Sequence, residues 1–382
     1  MARTGDTALK TTMRSLAVRK YCQPSGYEVL ELPVPTITKP DDVLIRVHAA
    51  GIMTGDTQMA NGMFRFVAKR DFPYPISIAG AGTILAVGPA VPATLTPGTP
   101  VYGTYFEHGL FPPPCPGFAS DYTVVPAAYL LPKPPNITFE EAAALAGTVL
   151  TAYQCVCRYL ALTGQDPDSG DTATLAGKTV FIPAALSACG SAFVQVVKHV
   201  YGAERVISTV STGKMPLVAE LLPERTVDLL LDYQTQSVVQ EVGRGQVDFV
   251  LNTQWDMVGT FPLVEPEKGA VVSIASVPGE ETVRAILGDS KMPFVWLLLW
   301  AVRAVQWYYN WRLRGTNVKQ EFLSGNMGDR EGLERTGEWI AAGKIKAVMT
   351  VVDLDDIEAV RRECGKVAAG KGGLGKLVIR LV

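Results

Sequence analysis

What this sequence lacks narrows it before anything it contains. Its 382 residues hold six cysteines, at 22, 115, 155, 157, 189 and 364, too few and too scattered for the disulfide framework of a small secreted fold. Histidine is scarcer still, at 48, 108 and 199, and no C-x2-C pair exists. Cys155 and Cys157 fall two apart on an expected helix, where they do not share a face. An excess of one charge is also missing: 35 Lys and Arg against 37 Asp and Glu leave a formal net charge of −2, so nothing favours a nucleic-acid partner electrostatically. The start, Met1-Ala-Arg-Thr-Gly-Asp-Thr7, has no apolar stretch of the secretory kind. The expectation is a cytoplasmic, reducing setting, with a small molecule as partner.

What is present is a chain long enough for two domains and 48% apolar, enough for a sizeable core. Its first part reads as short strands, Val43–Val47, Thr83–Val87 and Asp121–Val125, separated by turn signals such as Lys39-Pro-Asp-Asp42 and Thr96-Pro-Gly98. This is the pattern of a compact antiparallel β domain. Phe111-Pro-Pro-Pro-Cys-Pro116 reads as a rigid loop. The rhythm changes near Thr138, where Thr138 and Glu141 form a capping box ahead of Phe139–Ala146. Five apolar strands follow, at 179–183, 205–210, 227–231, 247–251 and 270–275, with helical patterns at 191–200 and 214–222. Strand–helix alternation with continuously apolar strands predicts a doubly wound parallel sheet, so the fold class is α/β. Leu377–Val382 is one more strand, placed to rejoin the first domain.

Between the strand at 179–183 and the helix at 191–200 lies Ala184-Ala-Leu-Ser-Ala-Cys-Gly-Ser191. A dinucleotide fold needs small residues there, because the backbone approaches a pyrophosphate at a helix N-terminus. Gly190 is the single glycine, and Ser187, Ala188, Cys189 and Ser191 complete the turn. The next strand ends in Ser211-Thr212-Gly213-Lys214 instead of the Asp or Glu that holds an NAD ribose. Hydroxyls and a lysine suit a 2′-phosphate, which favours NADPH.

The order of these pieces, with Ala49-Ala-Gly-Ile52 and Asp56, Thr83–Val91, Gly98–Gly103, Phe118–Val125, Gly147–Tyr153, Val247–Thr253, Gly343-Lys-Ile345 and Gly370–Arg380, resembles the medium-chain dehydrogenase/reductase superfamily. The resemblance covers nearly the whole chain. It implies a GroES-like β-rich catalytic domain, residues 1–147 and 345–382, and an inserted Rossmann-type cofactor domain, residues 148–344. It extends the cofactor site to Thr151, Asn252, Thr253 and Gly375. Where zinc-dependent members carry a cysteine this chain has Met53, and Ile78-Ala-Gly-Ala-Gly82 lacks their His–Glu pair, so the zinc-free quinone and enoyl reductases are the nearer branch and no metal is expected. Gly370–Lys376 nearly spells a P-loop, but Leu377 replaces the Ser or Thr that would hold Mg²⁺.

The implied chemistry is hydride transfer from NADPH to an activated C=C of a hydrophobic enone, enoyl thioester or quinone. Related enoyl reductases place a tyrosine a few residues beyond the Asp; here that position is Phe64, which cannot donate a proton. Asp56, Phe64 and Tyr105 are the candidate catalytic positions, Asp56 serving equally well as a helix cap. The alternative is a non-redox step, cyclisation or isomerisation, or ligand binding alone. One segment stands apart: Pro293–Trp311 holds four of the six tryptophans, and its uninterrupted apolar run, Phe294–Val302, falls far short of the ~20 residues needed to span a bilayer. Core packing, a homodimer interface, and an apolar wall over a greasy substrate resting on a membrane surface are its three readings.

Overall fold

The computed structural model describes residues 11–66, 69–105, 117–166, 174–287 and 294–382. The Pro-rich loop 111–116, His108, Cys115 and Pro293 lie outside them. The chain divides into two compact units: Met1–Leu150 with Asn326–Gly343 and Ala347–Val382, and Thr151–Gly325 with Lys344–Lys346.

In the first unit β1 (Thr12–Val18) pairs antiparallel with β2 (Glu28–Pro33). The long β3 (Asp42–Ile52) leads into helix α1 (Thr54–Ala60), and the short β4 (Tyr74–Pro75) adds to β1. β5 (Ala79–Val87) and β7 (Tyr122–Pro126) both pair antiparallel with β3, while β6 (Pro100–Thr104) joins β5 to β8 (Leu130–Pro132). β3 is buried along nearly its whole length, because strands pair with both its edges; Arg46 is exposed and His48 half-buried, and its other residues are apolar apart from the buried Asp42. Thr138 caps α2 (Phe139–Leu145): its Oγ1 accepts the Glu141 N–H at 3.1 Å, and the Glu141 carboxylate accepts the Thr138 N–H at 2.8 Å. α3 (Thr148–Leu162) follows after a break and from Thr151 onward belongs to the second unit. Together 139–162 are long and apolar enough for a membrane span, yet 67% of their most apolar 18-residue window is buried inside the protein, as in core helices.

The second unit is built on a parallel sheet of β9 (Thr179–Ile182), β10 (Arg205–Val210), β11 (Leu229–Asp232), β12 (Phe249–Asn252), β13 (Ala270–Ser273) and β14 (Lys319–Phe322). In strand-number order across the sheet it runs 11-10-9-12-13-14, the dinucleotide-fold order 3-2-1-4-5-6. Helix α4 (Gly190–Gln195) follows β9 and widens into a π turn at Val196–Val200; α5 (Met215–Leu221), α6 (Val238–Val242), α7 (Glu280–Leu287) and α8 (Val295–Arg312) come after it. The sixth strand was not expected. Its sequence, Lys319-Gln-Glu-Phe322, is polar because it is an edge strand, and it carries no apolar run to read.

The chain then returns through α9 (Arg330–Ala341), β15 (Met349–Asp353), α10 (Ile357–Ala369) and β16 (Lys376–Arg380). β16 pairs antiparallel with β3, so the terminal strand does rejoin the first unit. The boundary differs from the expected one at Asn326–Gly343, which was assigned to the cofactor domain. Arg330 Nη1 donates to the carbonyls of Ala128 (3.2 Å) and Leu130 (2.9 Å), and Asn136 donates to the Ala341 carbonyl, fixing α9 to the first unit. Residues 344–346 stay with the second unit through Gln195, whose buried amide exchanges hydrogen bonds with the Lys346 backbone.

Core packing describes only one face of α8. Leu299, Val302 and Tyr309 are buried, whereas Trp296, Trp300, Trp307 and Trp311 are exposed.

Losing a cap hydroxyl costs about 1 kcal/mol. Thr138→Ala is therefore expected to lower stability by that amount in urea unfolding followed by circular dichroism, with Thr138→Ser close to wild type. Equal stability of all three would contradict the capping assignment.

Candidate functional site

All strands of the second sheet run the same way, so their carboxyl ends share one rim, and the order reverses between β9 and β12. Ligands of open α/β sheets bind at such a reversal. At this rim the turn after β9 is clamped by β10: Thr209 Oγ1 accepts the Ala184 N–H at 3.1 Å and the Thr209 carbonyl accepts that of Ala185 at 3.0 Å. Ala184 sits at φ +62°, a left-handed conformation that disfavours larger side chains. The turn closes through Ser187, whose N–H donates to the Ala184 carbonyl (2.9 Å) and whose Oγ accepts the Gly190 N–H (3.0 Å). A Cβ on Gly190 would lie 2.1 Å from the Ala184 carbonyl oxygen, so glycine is required where the chain packs closest. Ser187, Ala188, Cys189, Gly190 and Ser191 are thus brought together as one small-residue turn at a helix start. The cradle fits a pyrophosphate.

The end of β10 supplies the neighbouring part of the rim. Ser211 is extended, and Thr212–Lys214 form a single 3-10 turn. The end of β10 carries no carboxylate of its own, but the neighbouring strand β11 brings one beside it. The parallel pairing sets Val210 opposite Asp232, and the Thr212 hydroxyl donates to Asp232 Oδ2 at 2.5 Å, while Oδ1 accepts the Gln234 N–H at 3.0 Å. The Thr212 bond holds the Asp232 carboxyl below the usual carboxylate range. The signal was an acid ending the apolar run Leu229-Leu-Leu-Asp232, readable only once strand order was known.

Asn252 and Thr253 fasten the rim. Buried Asn252 Nδ2 donates to Ser273 Oγ (3.0 Å) and the Gln254 carbonyl (2.5 Å), and Thr253 Oγ1 donates to the Pro183 carbonyl (2.8 Å). Thr151 is half-buried on α3 of the same unit. Gly375 belongs to the first unit, where φ is +61° and a Cβ would lie 2.1 Å from the Val348 carbonyl, so the turn into β16 requires a glycine there.

The three candidate catalytic positions lie in the first unit. Asp56 is 2% exposed in the first turn of α1, and its Oδ2 accepts the Met53 N–H at 2.7 Å. Burial pushes its carboxyl up to about 6, opposed by the Met53 N–H and by the Lys376 ammonium; Oδ1 has no hydrogen-bond partner among the described residues. Its place is that of a helix cap. Phe64 is half-buried against the hydrophobic core. Tyr105 is buried with its ring 4.9 Å from that of Tyr129, and its N–H donates to the Ile78 carbonyl.

His48 stacks on Phe139 with ring centroids 4.1 Å apart and bonds Thr83 Oγ1, while His199 bonds Thr226 Oγ1 at 2.8 Å. Among the described residues no three His, Cys, Asp or Glu side chains gather as a metal site.

A GroES-like β unit and a 3-2-1-4-5-6 parallel sheet with a tight turn after its central strand define the fold class of the nicotinamide-dependent medium-chain enzymes. The family descriptions "Alcohol dehydrogenase GroES-like domain" and "Zinc-binding dehydrogenase" match residues 39–135 and 226–379. The chain belongs to the medium-chain dehydrogenase/reductase superfamily. It is 33% identical over 242 residues to a chloroplastic NADPH-dependent alkenal/one oxidoreductase of Arabidopsis thaliana, a match covering 62% of this chain and 56% of that one. It is 26% identical over 365 residues to a trans-enoyl reductase of Aspergillus terreus, covering 91% and 90%. The match thus spans just over half of the plant relative's length and nearly all of the fungal one's. The quinone oxidoreductase of Coxiella burnetii superposes with a TM-score of 0.72 at 18% identity, covering 97% of this chain and all of that one, a likeness of fold.

Two tests follow from this geometry. Gly190→Ala is expected to lose about 2 kcal/mol of stability, as overpacking does, together with dinucleotide binding; unchanged stability and affinity would contradict the packing. For Asp56, a carboxyl raised on folding adds stability below the ordinary carboxylate range and loses it as pH rises through about 6. Asp56→Asn keeps an oxygen for the Met53 N–H and removes the charge. Its unfolding free energy relative to wild type should therefore improve by up to about 3 kcal/mol between about pH 4 and about pH 8. A difference independent of pH would sink the assignment.

Proposed function

We propose that this protein is a zinc-independent, NADPH-dependent reductase of an activated carbon–carbon double bond, in an enone, enoyl thioester or quinone of apolar character. The observation that carries the reading is the rim at the ends of β9 and β10: the tight Ser187–Ser191 turn beside Ser211, Thr212 and Lys214. When bound, NADPH supplies a hydride to an electron-poor carbon. This chain's residues bind and orient it: the 187–191 turn takes the pyrophosphate at the start of α4, and Lys214 with the Ser211 hydroxyl takes the 2′-phosphate, the Thr212 hydroxyl proton being held by Asp232. The curated relatives named above, an NADPH-dependent alkenal/one oxidoreductase and a trans-enoyl reductase, support the substrate class. A cytosolic, reducing compartment is the setting we infer. In support, Cys155 and Cys364 pack as buried apolar side chains, and burial pushes the Cys364 thiol up to about 12.

Asp232 adds an opposing term. Its carboxylate faces the 2′-phosphate position through Thr212 and disfavours a second anion there. Lys214→Ala is expected to weaken NADPH binding by roughly 1–3 kcal/mol and leave NADH nearly unchanged. Asp232→Asn should tighten NADPH several-fold. Calorimetric titration of both cofactors checks this; equal losses for NADPH and NADH in Lys214→Ala would remove the 2′-phosphate assignment. Turnover of an enone without NADPH consumption would favour the non-redox alternative.

A further inference from the structure

The exposed face of α8 has no role in the reductase reading. Trp296, Trp300, Trp307 and Trp311 are spaced four, seven and four apart, so they form one stripe, and they are 63%, 67%, 67% and 43% exposed. Leu299, Val302, Tyr309 and Leu313 fall on the opposite side, with Tyr309 and Leu313 in the core of the second unit. The helix is therefore anchored by its inner face and leaves four indoles outward, with Leu297 and Phe294 exposed at its start. Contiguous aromatic surface of this kind marks a contact with something else.

Charge indicates what. Between Asp289 and Glu321 the sequence contains Lys291, Arg303, Arg312, Arg314 and Lys319 and no acid. Arg303 is neutralised by Glu280. Arg312 and Arg314 lie over the rings of Tyr308 (5.9 Å) and Trp311 (5.0 Å), carrying positive charge to the aromatic stripe itself. A second copy of the chain laid along this face would set indoles and the cations Arg312 and Arg314 against the same groups, and the one acid shown against α8, Glu280, is already held by Arg284 and Arg303. Indoles with an apolar body and one N–H suit the headgroup level of a bilayer, and flanking arginines suit anionic lipid.

We propose that the outer face of α8 docks the protein on an anionic lipid bilayer, the indoles of Trp296, Trp300, Trp307 and Trp311 seated at headgroup depth. Docking is independent of the reductase activity. The test is flotation of the full chain with phosphatidylcholine vesicles, with and without phosphatidylserine, while tryptophan quenching by brominated lipid reports depth. Wild type should float with the anionic vesicles about tenfold more than with neutral ones, and its fluorescence should be quenched. W296S/W300S should lose flotation while keeping its circular dichroism spectrum and NADPH affinity, and R312Q/R314Q should lose the preference for anionic lipid. Absence of wild-type flotation and quenching overturns the proposal, as does flotation that both tryptophan substitutions leave intact. A wild-type dimer that W296S/W300S converts to a monomer, with no vesicle binding by either, assigns the face to a second copy and also overturns it.

Discussion

The backbone must come unusually close to itself at the carboxyl end of β9, and the second unit is organised around that approach. Gly190 packs its Cα against the Ala184 carbonyl, Ser187 ties the turn from inside, and Thr209 of β10 holds it from the side. A dinucleotide turn conventionally uses several glycines to reach such closeness. Here one glycine suffices because the other contacts are made by small side chains, those of Ala184, Ser187 and Thr209. The strand ends are then fastened to the same turn through Thr253 and, one strand further, through Asn252 and Ser273. A small anion could be cradled there without any side chain intruding.

The first unit is organised differently, around β3, which receives β5, β7 and the returning β16. Its buried polar groups support the fold. Asp56 gives up an ordinary carboxylate environment to hold the start of α1, and the buried Tyr105 ring faces another aromatic ring. Phe64 is half-buried against the core, and its phenyl ring has no proton to donate.

Much of this was legible in the sequence because the signals were local or periodic. The capping box at Thr138 and Glu141, the continuous apolar strands and the small-residue turn each depend on residues close together in the chain. What escaped depended on distant pairing. Asp232 belongs to the candidate site only because β11 lies beside β10, which no local pattern states. β14 is a polar edge strand, and Asn326–Gly343 joins the first unit through Arg330 contacts with residues two hundred positions earlier. The tryptophans at 296–311 were conspicuous in the sequence, but their exposure follows from which face of α8 meets the core, a tertiary fact.

The central claim is that NADPH bound at this rim delivers hydride to an activated double bond. It is tested most directly by incubating the protein with NADPH deuterated at C4 and an apolar enone, then locating the label by mass spectrometry and NMR. The account predicts one deuterium at the β-carbon of the saturated ketone, from a single C4 face, with the α-hydrogen taken from solvent and NADPH consumed in equal amount. A product without deuterium, or one formed with no NADPH consumed, would contradict it.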